Sequence, residues 1–194
     1  RSESLKRKHP WVFSGAIDKI LMDEDASVLK EGNVVKVADH KEKVLGVGHF
    51  AKGSIAVRML TFKNEEVDQV FWESKIKSAY MLREALQLSN SVKTRCYRLI
   101  HAEGDGLPGL IVDIYGTIAI VQAHNAGFAF ALPVVARALK AVYGDKLTAV
   151  YSKSEKALHN QGEKEVEDGY LFGAAESPQI VLENNIKFEI DWVT

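Results

Sequence analysis

Apolar and polar positions alternate through the first part of the chain. Val34 to Ala38 repeats with period two, Lys43 to Phe50 follows across the polar link Asp39-His40-Lys41-Glu42, and Ser54 to Phe62 follows across Ala51-Lys52-Gly53. Successive side chains of a strand point to opposite faces, so these runs predict three short strands in a meander or small barrel. Ahead of them, His9-Pro10-Trp11-Val12-Phe13-Ser14-Gly15 has Pro where a short helix would begin and Gly where it would end. A compact β-domain with one or two helical turns is expected, bounded by the charged, apolar-poor stretch Asn64-Glu65-Glu66.

Past that boundary the period lengthens. Phe71, Ile76, Ala79, Leu82 and Leu86 recur near helical spacing with Lys75, Lys77, Arg83 and Glu84 on other faces, which predicts an amphipathic helix ending before Ser89-Asn90-Ser91. Tyr97 to His101, Leu110 to Tyr115 and Thr117 to His124 read as strands, the last two joined by a tight turn at Gly116. Ala129 to Val142 predicts a second helix stopped by Gly144, and Leu147 to Ser152 a further strand. A long loop is expected over Glu155 to Gly169. Tyr170 to Gly173, Ile180 to Glu183 and Ile186 to Val193 then read as strands, with Asn184-Asn185 as a hairpin turn between the last two. The final strand runs into Thr194 without a polar tail, as expected of a domain that continues.

Composition narrows the class. Hydrophobic residues make up 46% and charged residues 26% of the 194, a globular balance that excludes a disordered polymer. No apolar run reads as a membrane helix of roughly 20 residues, and Arg1 to His9 has no apolar signal core behind it. A cytoplasmic protein without membrane association is expected. The single cysteine, Cys96, has no partner for a disulfide or a CxxC pair; at a strand entrance without an activating base, it reads as a small buried hydrophobe rather than a nucleophile. The net charge of −1 is uneven. Residues 1 to 62 hold 11 Lys/Arg against 8 Asp/Glu, densest at Arg1, Lys6, Arg7 and Lys8, where a phosphate backbone finds counter-charges and where a plain solubilising tail would look the same.

The most informative stretch is His101-Ala102-Glu103-Gly104-Asp105-Gly106-Leu107-Pro108-Gly109-Leu110, whose glycines and proline impose a fixed backbone path. It reads as a corner between strands. A metal role for Glu103 and Asp105 fails the EF-hand spacing, and neither a G-x-G-x-x-G nor a G-x-x-x-x-G-K loop is present, so no cofactor-binding, metal or catalytic residue is assigned. Trp11 and Phe13 beside Lys8 and His9 are placed either to stack on unpaired bases or to anchor the core, the latter being favoured for Trp11. His49, Lys52 and Arg58 read as surface residues.

Arg7-Lys8-His9-Pro10-Trp11-Val12-Phe13-Ser14-Gly15, Gly48-His49-Phe50 through Arg58, and above all Glu103 through Asp113 resemble the bacterial large-subunit ribosomal RNA cytosine-5 methyltransferases. The resemblance runs along essentially the whole chain. It implies an α+β fold: a PUA-like β pseudo-barrel over residues 1–66, then a central strand-strand-helix-strand-strand domain over 67–194. Glu183 through Asp191 resembles the family's entry to a Rossmann-like catalytic domain, with Asn185 where glycine is common; that domain, with its S-adenosylmethionine site and catalytic cysteine, is expected to be absent here.

The function expected from this resemblance is to bind and position ribosomal RNA for methylation, with Lys6, Arg7, Lys8, His9 and Trp11 as RNA contacts and with a homodimer as one expected assembly. By itself the fragment is expected to be inactive. A stand-alone RNA-binding adaptor is the alternative, and an enzyme using Glu103 and Asp105 as paired carboxylates is a second.

Overall fold

The computed structural model describes residues 3–22, 28–159 and 166–193. Arg1, Thr194 and part of the predicted Glu155–Gly169 loop lie outside them. Two mixed units follow one another, each built on its own sheet.

The first unit begins with a single helical turn, α1 (Glu3–Lys6), and a short strand, β1 (Trp11–Phe13). Strands β2 (Val34–Ala38), β3 (Val44–Phe50) and β4 (Ile55–Thr61) complete an antiparallel sheet in the order β1-β4-β3-β2. The last three match the period-two reading. At the β2–β3 turn the Asp39 carboxylate accepts the N–H groups of Lys41 (2.9 Å) and Lys43 (3.1 Å), the local hydrogen bonding that suits Asp to turns. Leu5, Val12, Val57 and Met59 form the core of this unit.

The helix expected to start at Pro10 is instead β1. Trp11 lies opposite Arg58 and Val12 opposite Val57, and Met59 N–H donates to the Pro10 carbonyl at 2.8 Å. A long-range strand partner decides the conformation of this aromatic and β-branched run, and Pro is tolerated beside an edge strand. The helical turn lies upstream, and a 3₁₀ turn occupies Ser14–Ala16.

The second unit opens with α2 (Gln69–Ala85), whose N-cap Asp68 accepts the Phe71 N–H at 2.8 Å. Its buried stripe is Phe71, Trp72, Ile76, Ala79 and Arg83, while Leu82 and Leu86, expected inside, are 51% and 61% exposed. Trp72 and Arg83 take the core-facing positions instead. Strands β5 (Cys96–His101), β6 (Leu110–Tyr115), β7 (Ile118–Ala123), β8 (Ala149–Ser152) and β9 (Gly169–Gly173) form one sheet in sequence order. Only β7 and β8 pair in parallel among the described strands, joined across the sheet by α3 (Ala126–Tyr143). Where strand-strand-helix-strand-strand was expected, β6 to β9 run strand-strand-helix-strand-helix-strand, with a short helix at Glu155–His159 before β9 and β5 added at the edge. A hairpin, β10 (Gln179–Glu183) and β11 (Ile186–Ile190), turns at Asn184 and Asn185, both at positive φ as a two-residue loop requires.

Three further expectations change. Asn125, outside both neighbouring predicted elements, N-caps α3 by accepting the Phe128 N–H at 3.0 Å, so the helix starts a turn earlier than Ala129. A short helix, α4 (Glu155–His159), stands within the predicted loop. The segment Ala126–Lys146 is, by length and composition, apolar enough to cross a membrane; here Phe128, Leu132, Val135 and Leu139 spend that apolarity against α2 and the sheet.

Both helices cover one face of the five-stranded sheet, over Leu99, Leu110, Val112 and Val121. Leu60 of the first unit belongs to the same cluster. On the opposite face, Trp192 covers Ile118, Ile120, Ala149 and Tyr151. The strip along β5 and β6 is left more open.

Candidate nucleic-acid interface

Strand pairing puts Trp11, Arg58 and His49 side by side, since Arg58 lies opposite Trp11 on one side and opposite His49 on the other. That row meets the second unit. His49, expected at the surface, is only 3% exposed: its ring lies near Trp72 (centroids 6.4 Å, 28° apart) and edge-on to Phe128 (5.0 Å, 89°). Gly127 makes room, because a Cβ there would fall 2.2 Å from His49 Cγ. Burial, with a smaller push from the Arg58 charge, lowers the His49 pKa to about 4, and its Nδ1 has no hydrogen-bond partner among the described residues.

Trp11 sits at the rim of this junction, neither fully buried nor free. Its indole Nε1 donates to Glu103 Oε1 at 3.0 Å, tying β1 to the glycine-rich corner 92 residues away. His9 packs edge-on against Trp11 at 5.8 Å, and Phe13 lies 6.3 Å from Trp11 and 6.2 Å from His9. Alternate positions of an extended segment share a face, so residues 9, 11 and 13 gather three rings; Phe13 is 48% exposed. The Trp11 N–H donates to His9 Nδ1 at 3.2 Å and fixes that ring against the strand.

The cations stand just upstream. Arg7 and Lys8 are exposed. Lys6 is exposed too, but its Nζ lies 2.7 Å from Glu3 Oε1, and that hydrogen bond raises the Lys6 pKa; its charge is partly spent within the turn. The turn closes through Lys8 N–H to the Leu5 carbonyl (2.9 Å) and His9 N–H to the Ser4 carbonyl (2.9 Å), a Schellman pairing that leaves Lys8 at φ 59° where glycine is usual. Replacing Lys8 with Gly is expected to relieve that conformation and raise stability by about 0.5 to 1 kcal/mol. An unchanged or lower melting temperature would show that the position is not strained.

The corner itself is structural. Asp105 takes both Arg83 guanidinium arms, Nη2 donating to Oδ2 at 2.8 Å, and also accepts the His101 N–H at 2.6 Å. Desolvation pushes the Asp105 pKa up, but the Arg83 and His101 hydrogen bonds and the neighbouring charges outweigh it and leave it lowered. Gly109 has φ 98°, and a Cβ there would meet Asn125 Nδ2 at 2.2 Å; Asn125 Nδ2 in turn donates to the Pro108 carbonyl at 3.1 Å. Glu103 and Asp105 thus serve different partners, which removes the paired-carboxylate reading. Cys96 is half-buried, its Sγ donating to the Leu182 carbonyl at 3.4 Å, with a pKa that burial raises.

Lys8, His9 and Trp11 are neighbours in the sequence, which did not point to what they abut. Arg98 of β5 is held by Asp113 of β6 through Nε (2.8 Å) and Nη2 (2.9 Å), with Nη1 3.3 Å from His101 Nδ1. No local motif announces Arg98, and nothing in the Glu103–Asp113 stretch announces it as the partner of Asp113. Their placement depends on strand pairing.

Residues 1–62 match the family model of the PUA-like domain. Along its whole length, the chain is also similar to methyltransferases of ribosomal RNA. It is 35% identical over 197 residues to the ribosomal RNA large subunit methyltransferase I of Photobacterium profundum, covering 100% of this chain and 47% of that protein. With the protein of the same name from Escherichia coli O139:H28 it shares 32% identity, covering 98% of this chain and 47% of the relative. The chain spans about half the length of these curated relatives. Its fold is similar to that of a putative SAM-dependent methyltransferase from Streptococcus mutans, with a TM-score of 0.77 at 18% identity, covering 98% of this chain and 46% of the other.

Proposed function

We propose that the intact protein is an S-adenosylmethionine-dependent methyltransferase of large-subunit ribosomal RNA, acting on a cytosine C5, and that this chain is the part that binds and positions the RNA. Similarity along this whole chain to about half of two proteins named ribosomal RNA large subunit methyltransferase I supports the reading most directly. The aromatic and cationic row at residues 7–13 supplies the physical means: cations hold phosphates, and exposed rings accept unpaired bases. Residues 1–66 form the RNA-binding unit and 67–194 the central unit. Lys6, Arg7, Lys8, His9 and Trp11 contact RNA, Lys6 with the smallest share because Glu3 competes for it. The methyl donor and the catalytic residues belong to sequence outside this chain.

Charge reversal at Arg7 and Lys8 together tests the binding site. Each lost phosphate contact is expected to lower the steepness of the salt dependence by about one, and affinity for large-subunit ribosomal RNA falls at low salt. Binding that keeps its affinity and salt slope would remove these residues from the interface. Methyl transfer from labelled S-adenosylmethionine by the full-length protein, with the label mapped on the RNA, tests the chemistry; label at another base or atom would overturn the cytosine-C5 assignment.

A further inference from the structure

We propose that the strip of sheet along β5 and β6, carrying Arg98 and His101, continues the RNA interface and takes an unpaired segment of RNA, so that the central unit contacts the substrate directly. This rests on the reading of residues 7–13 as RNA contacts.

The geometry starts from a bulge. Residues three apart on a regular strand face opposite ways, yet Arg98 pairs with Asp113, Ile100 with Val112 and His101 with Ile111, so one residue is gained between 98 and 100. Leu99 and Ile100 both reach the core, and Arg98 and His101 share the other face. That irregularity buries both side chains on the core face and has a second consequence on the other face. Its effect is to bring a guanidinium and an imidazole side by side, 3.3 Å apart.

The charge arrangement favours a polyanion. Arg98 and Asp113 are paired, but unequally presented: the arginine side chain is 44% exposed and the aspartate 15%. The acid lies beneath and the cation faces out. Gripped at Nε and Nη2, the guanidinium plane is fixed, as a stacking platform requires. Of the other acids nearby, Asp105 is paired with Arg83 and Glu103 with Trp11, while exposed Glu183 stands at the far end of the strip, beside Cys96 and Tyr115.

The strip is continuous with β1. His101 leads into the 3₁₀ turn Ala102–Asp105, and Glu103 of that turn holds the indole of Trp11. The cluster His9, Trp11 and Phe13 and the pair Arg98 and His101 are thus joined through a single turn, with Arg7 and Lys8 just upstream of the first. Open sheets bearing planar side chains accept splayed bases, whereas a duplex keeps its base faces stacked inside. A protein partner would be expected to seek large apolar anchors, and on the β5–β6 strip Ile111 is the aliphatic one, half-buried.

The test uses the full-length protein, a short unstructured oligoribonucleotide and its matching duplex. His101→Ala is expected to weaken single-strand binding about tenfold and to leave duplex binding unchanged. Arg98→Lys keeps the charge but loses the plane, so it should weaken single-strand binding without altering the salt slope. Melting temperatures verify folding, and exposed His101 gives a second variant should the Arg98 substitution unfold the sheet. Normal single-strand affinity in both variants, alongside weakened binding in the Arg7→Glu/Lys8→Glu protein, overturns the inference and leaves the proposed function standing. If that double variant also binds normally, both fall.

Discussion

Asp105→Ala is expected to destabilise the protein by about 3–5 kcal/mol, the largest effect of any single substitution considered. Arg83 and Asp105 are both nearly inaccessible, with side chains 10% and 7% exposed. Removing the acid strands a guanidinium on the core-facing side of α2 and leaves the His101 N–H without its 2.6 Å acceptor. Losing one partner of a buried pair costs far more than the pair contributes net, because the remaining charge stays desolvated. Arg83 is also anchored through Nε to the Arg98 carbonyl at 3.0 Å, so it cannot simply swing to solvent. Denaturant unfolding measures the loss. A value under about 1 kcal/mol would mean that Arg83 finds water, and the corner is less closed than described. Removing both charges, as Arg83→Met/Asp105→Leu, should recover much of the deficit, since no lone charge remains.

The second large effect is a pH dependence rooted in His49. Its pKa of about 4 in the folded protein lies below the ordinary value of 6.5. Below pH 6.5 the unfolded chain takes up a proton at this imidazole and the folded chain does not, until the pH reaches about 4. Stability therefore falls as pH falls through that window, by about 3 kcal/mol in all, and is unaffected by this group above it. Other groups titrate there too, so the contribution is read as a difference against His49→Phe. The phenyl ring can retain the contacts with Trp72 and Phe128, and the substitution sacrifices no Nδ1 hydrogen bond because that atom has no partner among the described residues. Parallel stability curves between pH 6.5 and 4 would show that His49 is protonated in place, contrary to its burial.

His49 and Asp105 mark two of the places where the units are tied, beside the contacts at Leu60 and Gly32. One fills a cage between Trp72 and Phe128 that only a glycine at 127 allows. The other sets the corner that presents Glu103 to Trp11. In the proposed function, an aromatic row positioned by a rigid junction has its rings fixed beforehand, which lowers the entropic cost of binding.

Much of the fold was legible from local chemistry. The period-two run at Val34–Ala38 and the β-rich run at Leu110–Tyr115 match the strands residue for residue, and Gly116, Gly144 and Asn184-Asn185 end elements where their tolerance of positive φ predicts. The basic and aromatic candidates at Lys6 to Trp11 were also visible, being neighbours in sequence. The misses share a different origin. Trp11–Phe13 became a strand because β4 lies beside it, His49 went inside because Trp72, Phe128 and Gly127 surround it, and Arg83 was buried because Asp105 stands opposite.

By itself, then, the sequence determined the elements whose energy is settled within a few residues: turn conformations, pleat alternation and helix periodicity. Only the tertiary structure decided which side of each polar residue meets water and which planar groups share a face. A hydrogen bond such as Trp11 to Glu103 spans 92 positions, and the bulge that turns Arg98 and His101 the same way exists only against β6. Such placements depend on desolvation and long-range pairing, which no window of neighbouring residues encodes.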